Sequence, residues 1–98
     1  MTRLRLVPEL TLDIQRITAH LQLHEAARVN ERVADILGAL QIPVKHPLIG
    51  RPAAQGQREL VIGHDASGYL ARYAYDELDD LVVVIALRSQ CEAGFVDR

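Results

Sequence analysis

The chain has 98 residues, 24% of them charged and 49% hydrophobic, enough for one domain over residues 1–98 with its own core and too few for a multidomain enzyme. Eleven Lys and Arg against thirteen Asp and Glu leave a formal charge of −2, without the positive surplus of a protein that grips nucleic acid unaided. Residues 1–50 carry six basic and five acidic groups and the remainder five and eight, so no charged tail dominates.

In chain order, Arg3 to Val7 alternates polar and apolar residues and predicts a short strand. Pro8 follows where a helix can begin, because its missing N–H costs nothing in the first turn. Leu10, Ile14, Ile17 and Leu21 then recur on one helical face, with Asp13, Gln15 and Arg16 expected to look elsewhere. A second amphipathic helix is expected from about Glu25 to Leu40, with Val29, Val33, Ile36, Leu37 and Leu40 as its stripe and Gly38 near its end. The near-direct joint between the two predicts an antiparallel hairpin.

Residues 41 to 57 contain Pro43, Pro47, Gly50, Pro52 and Gly56 and are expected to form one long loop without regular structure. Three strands are predicted beyond it: Arg58 to Gly63, Tyr69 to Tyr75 and Leu81 to Arg88, forming an antiparallel meander. The last is apolar on both faces, as an interior strand is. The middle one sets Tyr69, Ala71, Tyr73 and Tyr75 against Leu70, Arg72 and Ala74. The expected architecture is α+β: a strand, a two-helix hairpin and a three-stranded meander, with the helices on one face of a small sheet. The other face would present Leu70 and Arg72, joined by Arg88 if the last strand pairs with matching parity.

Compartment and chemistry are read from what remains. A single cysteine, Cys91, forms no internal disulfide, and Met1 leads straight into the first strand without a basic-then-apolar leader, so a cytoplasmic protein is expected. The longest apolar run, Leu81 to Leu87, has seven residues, far below the roughly 20 of a membrane-spanning helix, and no membrane partner is expected. Aromatic residues make up 4% without Trp, which leaves at most Tyr69, Tyr73, Tyr75 and Phe95 for a base-stacking platform and argues against one.

His20 and His24 have the spacing of a helical metal pair, but Leu21 stands where the H-E-x-x-H motif places its Glu, and a solvated turn is the favoured reading. His46 and His64 have no partner that spacing identifies. Gly63 to Gly68 lacks the Lys-Ser or Lys-Thr of a phosphate loop and reads as a hairpin turn. Asp76, Glu77, Asp79 and Asp80 lack the pattern of a calcium loop and read as a solvated turn. Cys91 is expected to be a small buried hydrophobe. Neither a metal nor a cofactor is expected.

The element order resembles that of the RelE/ParE superfamily of toxin–antitoxin toxins over nearly the whole chain. The likeness is strongest from Gly50-Arg51-Pro52 onward, through Arg58-Glu59-Leu60-Val61-Ile62, Gly68-Tyr69-Leu70-Ala71-Arg72-Tyr73-Ala74-Tyr75-Asp76 and Val84 to Phe95. Many members close that last stretch with Arg-His-Gln-Arg-Glu-Ala-Gly-Tyr. Here Ser89, Cys91 and Phe95 replace the family's histidine, second arginine and tyrosine, and Leu70 occupies the place of a phosphate-holding arginine, with Arg72 two residues on.

The resemblance implies one of two activities. RelE-like members cleave mRNA on the ribosome, whereas ParE-like members inhibit DNA gyrase by binding. Cleavage beside a ribose 2′-OH needs a proton acceptor and a stabiliser of phosphate charge. Phe95 is neither, and Ser89 and Cys91 have no base beside them in sequence. With the charge of −2, these departures favour the ParE-like reading: no catalytic residues, DNA gyrase as target, and a small DNA-binding antitoxin as partner. A ribosome-dependent mRNA endonuclease is the alternative, and a degenerate member kept as an interaction module is a third. Arg58, Arg72, Arg88 and Gln90 are the expected target or antitoxin contacts, the arginines as bidentate donors and Gln90 as a neutral hydrogen-bond partner. Leu12, Leu23 and Val44, off the main stripes, are expected either to complete the core, the favoured reading, or to meet the antitoxin's segment, which the resemblance implies folds on binding.

Overall fold

Alternation at the start of the chain makes Arg3–Leu6 a strand, β1, whose Leu4 leans on the core. The computed structural model describes residues 1–63, 68–92 and 94–95. Helix α1 follows over Leu10–His24, a 3₁₀ turn over Ala26–Arg28, and helix α2 over Val29–Ala39. Thus the expected second helix starts later, after a tighter turn. Its stripe is also narrower than the periodicity implied: Ile36 and the C-cap Leu40 are buried, but Leu37 is 42% exposed, because α2 meets the core along Val29, Ile36 and Ala39.

The segment expected to be a featureless loop contains three short elements: a one-turn helix α3 at Ile42–Lys45, a two-residue strand β2 at Arg51–Pro52, and a 3₁₀ turn at Ala54–Gly56. Pro43 is compatible with α3 because it lies in the first turn, where no intrahelical acceptor waits for an N–H. Pro52 is compatible with β2 because that strand lies at the edge of the sheet.

Strands β3 (Arg58–Ile62), β4 (Tyr69–Asp76) and β5 (Leu81–Ser89) pair antiparallel in sequence, as expected. The sheet is larger and mixed, however: five strands in the order β1-β5-β4-β3-β2, with β1 parallel to β5. This corrects the four-strand expectation. The expected hairpin turn through His64, Asp65, Ala66 and Ser67 lies outside the described residues.

The main core joins Leu10, Ile17 and Leu21 of α1, Ile36 of α2 and Leu40 just beyond it to Leu60, Ile62, Tyr69, Ala71, Tyr73, Val82, Val84 and Leu87 of the sheet. Each fully buried aliphatic or aromatic side chain there contributes about 1.5–3 kcal/mol. Asp13, expected to face outward, is also buried, at 1% exposure. Its position beside Leu10 and Ile17 puts it over the end of β5, where a carboxylate has backbone to bind. No helix among the described residues is long and apolar enough to cross a membrane.

Candidate functional site

A single extra residue on β5 sets up the site. Tyr73 pairs with Val84 but Arg72 pairs with Ala86, so Ile85 is a bulge. Side-chain parity reverses there: Val82 and Val84 point into the helix-covered core before it, and Leu87 does so after it. Arg88, which unbroken alternation would have aimed under the helices with Val82 and Val84, is turned to the open face. Leu70 pairs with Arg88 and Arg72 with Ala86, so both arginines rise from the same patch of neighbouring strands.

Leu70 and Ala86 are buried beneath them without belonging to the main core. Over the patch lies Phe95. The Arg72 guanidinium carbon is 4.5 Å from the Phe95 ring centroid and that of Arg88 is 5.2 Å away, so one ring is shared by two cations. Arg72 Nη2 also donates to Glu59 Oε2 at 3.0 Å, while Arg51 Nη2 donates to Glu59 Oε1 at 3.3 Å. Arg88 Nη1 donates to the carbonyls of Glu92 at 2.9 Å and Ser89 at 3.2 Å. The Nε atoms of Arg72 and Arg88 are buried and have no hydrogen-bond partner among the described residues.

The register extends this face. Arg3 and Arg5 of β1 pair with Leu81 and Val83 of β5, on the same side as Arg72 and Arg88, and Arg51 pairs with Glu59, directly across from Arg72. Five arginines of a chain whose formal charge is −2 therefore share one sheet face. Sequence position concealed this, because the five arginines lie on four strands that only the sheet brings together.

Arg58 does not belong to that group. It pairs with Tyr73 and so lies on the helix-facing side, where its Nη1 donates to Gly50 O at 2.8 Å and Leu48 O at 3.1 Å. It pins the loop before β2. Tyr73 reinforces this tether: its hydroxyl donates to Pro47 O at 2.8 Å and accepts the Gly50 amide at 2.9 Å. Gln90 follows β5, half-buried, with its backbone N–H on Gly68 O at 3.0 Å.

The segment after β5 is held by Glu92. Its Oε1 accepts Arg16 Nε at 2.7 Å and its Oε2 accepts the Ser89 amide at 2.7 Å. Burial opposes charge on Arg16, but the bonds from Glu92 and Asp13 outweigh it and raise its pKa above the ordinary value. No sequence pattern singled out Arg16 or Glu92, whose partners are 76 residues apart.

Arg16 and Glu92 also line a groove of about 250 Å³ with Ile17, His20, Leu21, Tyr69, Ser89 and Cys91. Burial, the main cause, pushes the Tyr69 hydroxyl above its usual pKa. Cys91 is exposed, contrary to expectation, because the chain has left the sheet before reaching it. The His20 and His24 rings meet at a tilt of 43°, with centroids 4.5 Å apart. Leu12 and Leu23 project from α1 at 60% and 81% exposure, while Val44 is half-buried.

Comparison with models of known protein families finds no match, and comparison with curated protein sequences finds none. The functional reading therefore rests on the residues themselves.

Proposed function

We propose that the chain is the toxin of a type II toxin–antitoxin module, a ParE-like member of the RelE/ParE superfamily. It acts in the cytoplasm by binding and inhibiting DNA gyrase and is neutralised by a small DNA-binding antitoxin. The observation that carries this reading is the arginine pair gathered around Phe95. Arg72 and Arg88 offer forked donors to a partner's carboxylates. The side chain on top of them is a hydrocarbon ring, where a nuclease of this superfamily would be expected to carry a tyrosine able to move a proton. The order of strand, helical pair and antiparallel strands agrees with the resemblance of the sequence.

A second reading, the ribosome-dependent mRNA endonuclease, is favoured by the five arginines on one sheet face, since such a face suits a phosphate backbone.

Expression in bacteria without antitoxin, followed by a supercoiling assay with purified gyrase, separates the two. Supercoiling defects and DNA breaks support the first; codon-dependent cuts in ribosome-bound mRNA overturn it in favour of the second. Unaffected growth at adequate protein level removes both.

A further inference from the structure

Among the described residues the arginine pair contacts a carboxylate from Glu59, an aromatic ring from Phe95, and the carbonyls of Ser89 and Glu92, the groups that an acidic polypeptide also offers. The ring contact is a poor long-term partner. Both arginines also carry a buried Nε donor that has no acceptor among the described residues. A buried donor left unpaired costs free energy that a carboxylate on the same site would recover.

The means of release is also present. Glu92 anchors the segment through Arg16 and the Ser89 amide, so its base stays fixed. Gly94, directly before Phe95, is exposed, and a Cβ there would meet nothing within 4 Å. Backbone rotation at Gly94 can lift the ring without disturbing the anchor.

From this geometry we infer that Phe95 is a removable plug that competes with an acidic polypeptide for Arg72 and Arg88, so that the free chain holds its own binding face partly closed. The inference rests on the reading of the open face as the interaction face and adds its regulation. Glu59 shows the chemistry of the incoming partner in miniature, because its two oxygens already engage Arg51 and Arg72. A carboxylate reaching Arg88 from outside gives Nε the acceptor that it lacks among the described residues.

The test measures binding of a short fluorescein-labelled oligoglutamate peptide to the purified chain at low salt by fluorescence anisotropy, with an oligothymidylate of equal charge as comparator. Phe95→Ala is expected to bind the peptide about three- to tenfold more tightly than the unaltered chain, the range set by loss of one or two cation–π contacts. Arg72→Lys with Arg88→Lys, which keeps charge but removes the fork, is expected to abolish that gain. Phenylglyoxal is expected to modify Arg72 and Arg88 faster in Phe95→Ala, as read by peptide mass mapping, and this measurement does not depend on any ligand.

Unchanged affinity and unchanged arginine reactivity overturn the plug, and weaker peptide binding overturns it by making the ring part of the interface. Preference for oligothymidylate in both forms overturns the acidic-polypeptide partner. No gyrase is present in the experiment, so its result and that of the supercoiling assay stand or fall separately.

Discussion

Asp13 on α1 accepts the backbone N–H of Leu87 on β5 at 2.9 Å, across 74 residues of sequence. β1 has already ended opposite Val84, so among the described residues no strand neighbours this part of β5 on that side. Arg16 completes the substitute: its Nη2 donates to Leu87 O at 3.0 Å and its Nη1 to Asp13 Oδ1 at 2.8 Å. Two helical side chains thus satisfy the amide and the carbonyl that a sixth strand would have bonded. Asp13→Ala leaves a buried amide unpaired and removes one of the two carboxylates on Arg16. It is expected to cost about 2–4 kcal/mol by urea unfolding, with Asp13→Asn costing less because an amide oxygen still reaches Leu87.

Gly50 is fixed by Tyr73. A Cβ at Gly50 would lie 2.8 Å from Tyr73 Cε1 and Oη and 2.9 Å from Glu59 O, closer than packed atoms approach. Gly50→Ala is expected to destabilise by about 1–3 kcal/mol through forced displacement of the Tyr73 ring and loss of its two hydrogen bonds. Thermal unfolding checks this, and a melting point equal to that of the unaltered chain contradicts the described contact.

The bulge at Ile85 gives a sharper contrast. Ile85→Ala trims a half-buried side chain and is expected to be mild, about 1 kcal/mol or less. Deleting Ile85 removes the bulge and leaves Val84 opposite Tyr73 and Ala86 opposite Arg72 in unbroken alternation, so Val84, Leu87 and Arg88 keep their faces and cooperative unfolding is expected to survive. Deleting Val83 instead puts Val82 and Val84 on opposite faces and is expected to abolish cooperative unfolding, as monitored by circular dichroism.

Acid and alkali act on opposite partners of one bond. Asp80, at φ +49°, accepts Thr2 Oγ1 at 2.7 Å and Tyr75 Oη at 2.8 Å. These bonds, that of Thr2 first, hold its carboxyl below the ordinary Asp range. The unfolded chain therefore takes up the proton first as pH falls. The stability from Asp80 is whole above about pH 3.9 and is lost as pH drops through the lower folded value. The same bond, as the main cause, raises the Tyr75 hydroxyl, so its contribution is whole below about pH 10 and fades as pH rises through the folded value. Urea midpoints of Tyr75→Phe are expected to fall less than those of the unaltered chain on acidification from about pH 5 to below pH 3. Parallel acid limbs would show that the bond carries no stability.

Arg72→Ala and Arg88→Ala, singly and together, are expected to reduce growth inhibition under either active reading, while Arg58→Ala is expected to act through stability by freeing the loop at Gly50. Plating efficiency with immunoblotting separates lost toxicity from lost protein. Full toxicity in a folded double variant contradicts the placement of the site.

Local rules made much of the fold legible. Spacings of three and four in Leu10, Ile14, Ile17 and Leu21, and of two in Tyr69, Ala71 and Tyr73, select helix and strand and identify their buried faces. Asp13 escaped this reasoning because polarity assigns it to solvent, while the exposed end of a distant strand makes burial favourable. Arg58 escaped it for a related reason: the loop whose carbonyls it binds becomes its neighbour only on folding.

By itself, the sequence determined the helices, the three long strands and the presence of arginines on β4 and β5, because these follow from contacts within a few residues of one another. Only the tertiary structure decided which arginines meet. The pairing of β1 with β5, the one-residue bulge at Ile85 and the return of Phe95 over the sheet are long-range events. A shift of one residue in any strand register exchanges the faces of every side chain beyond it.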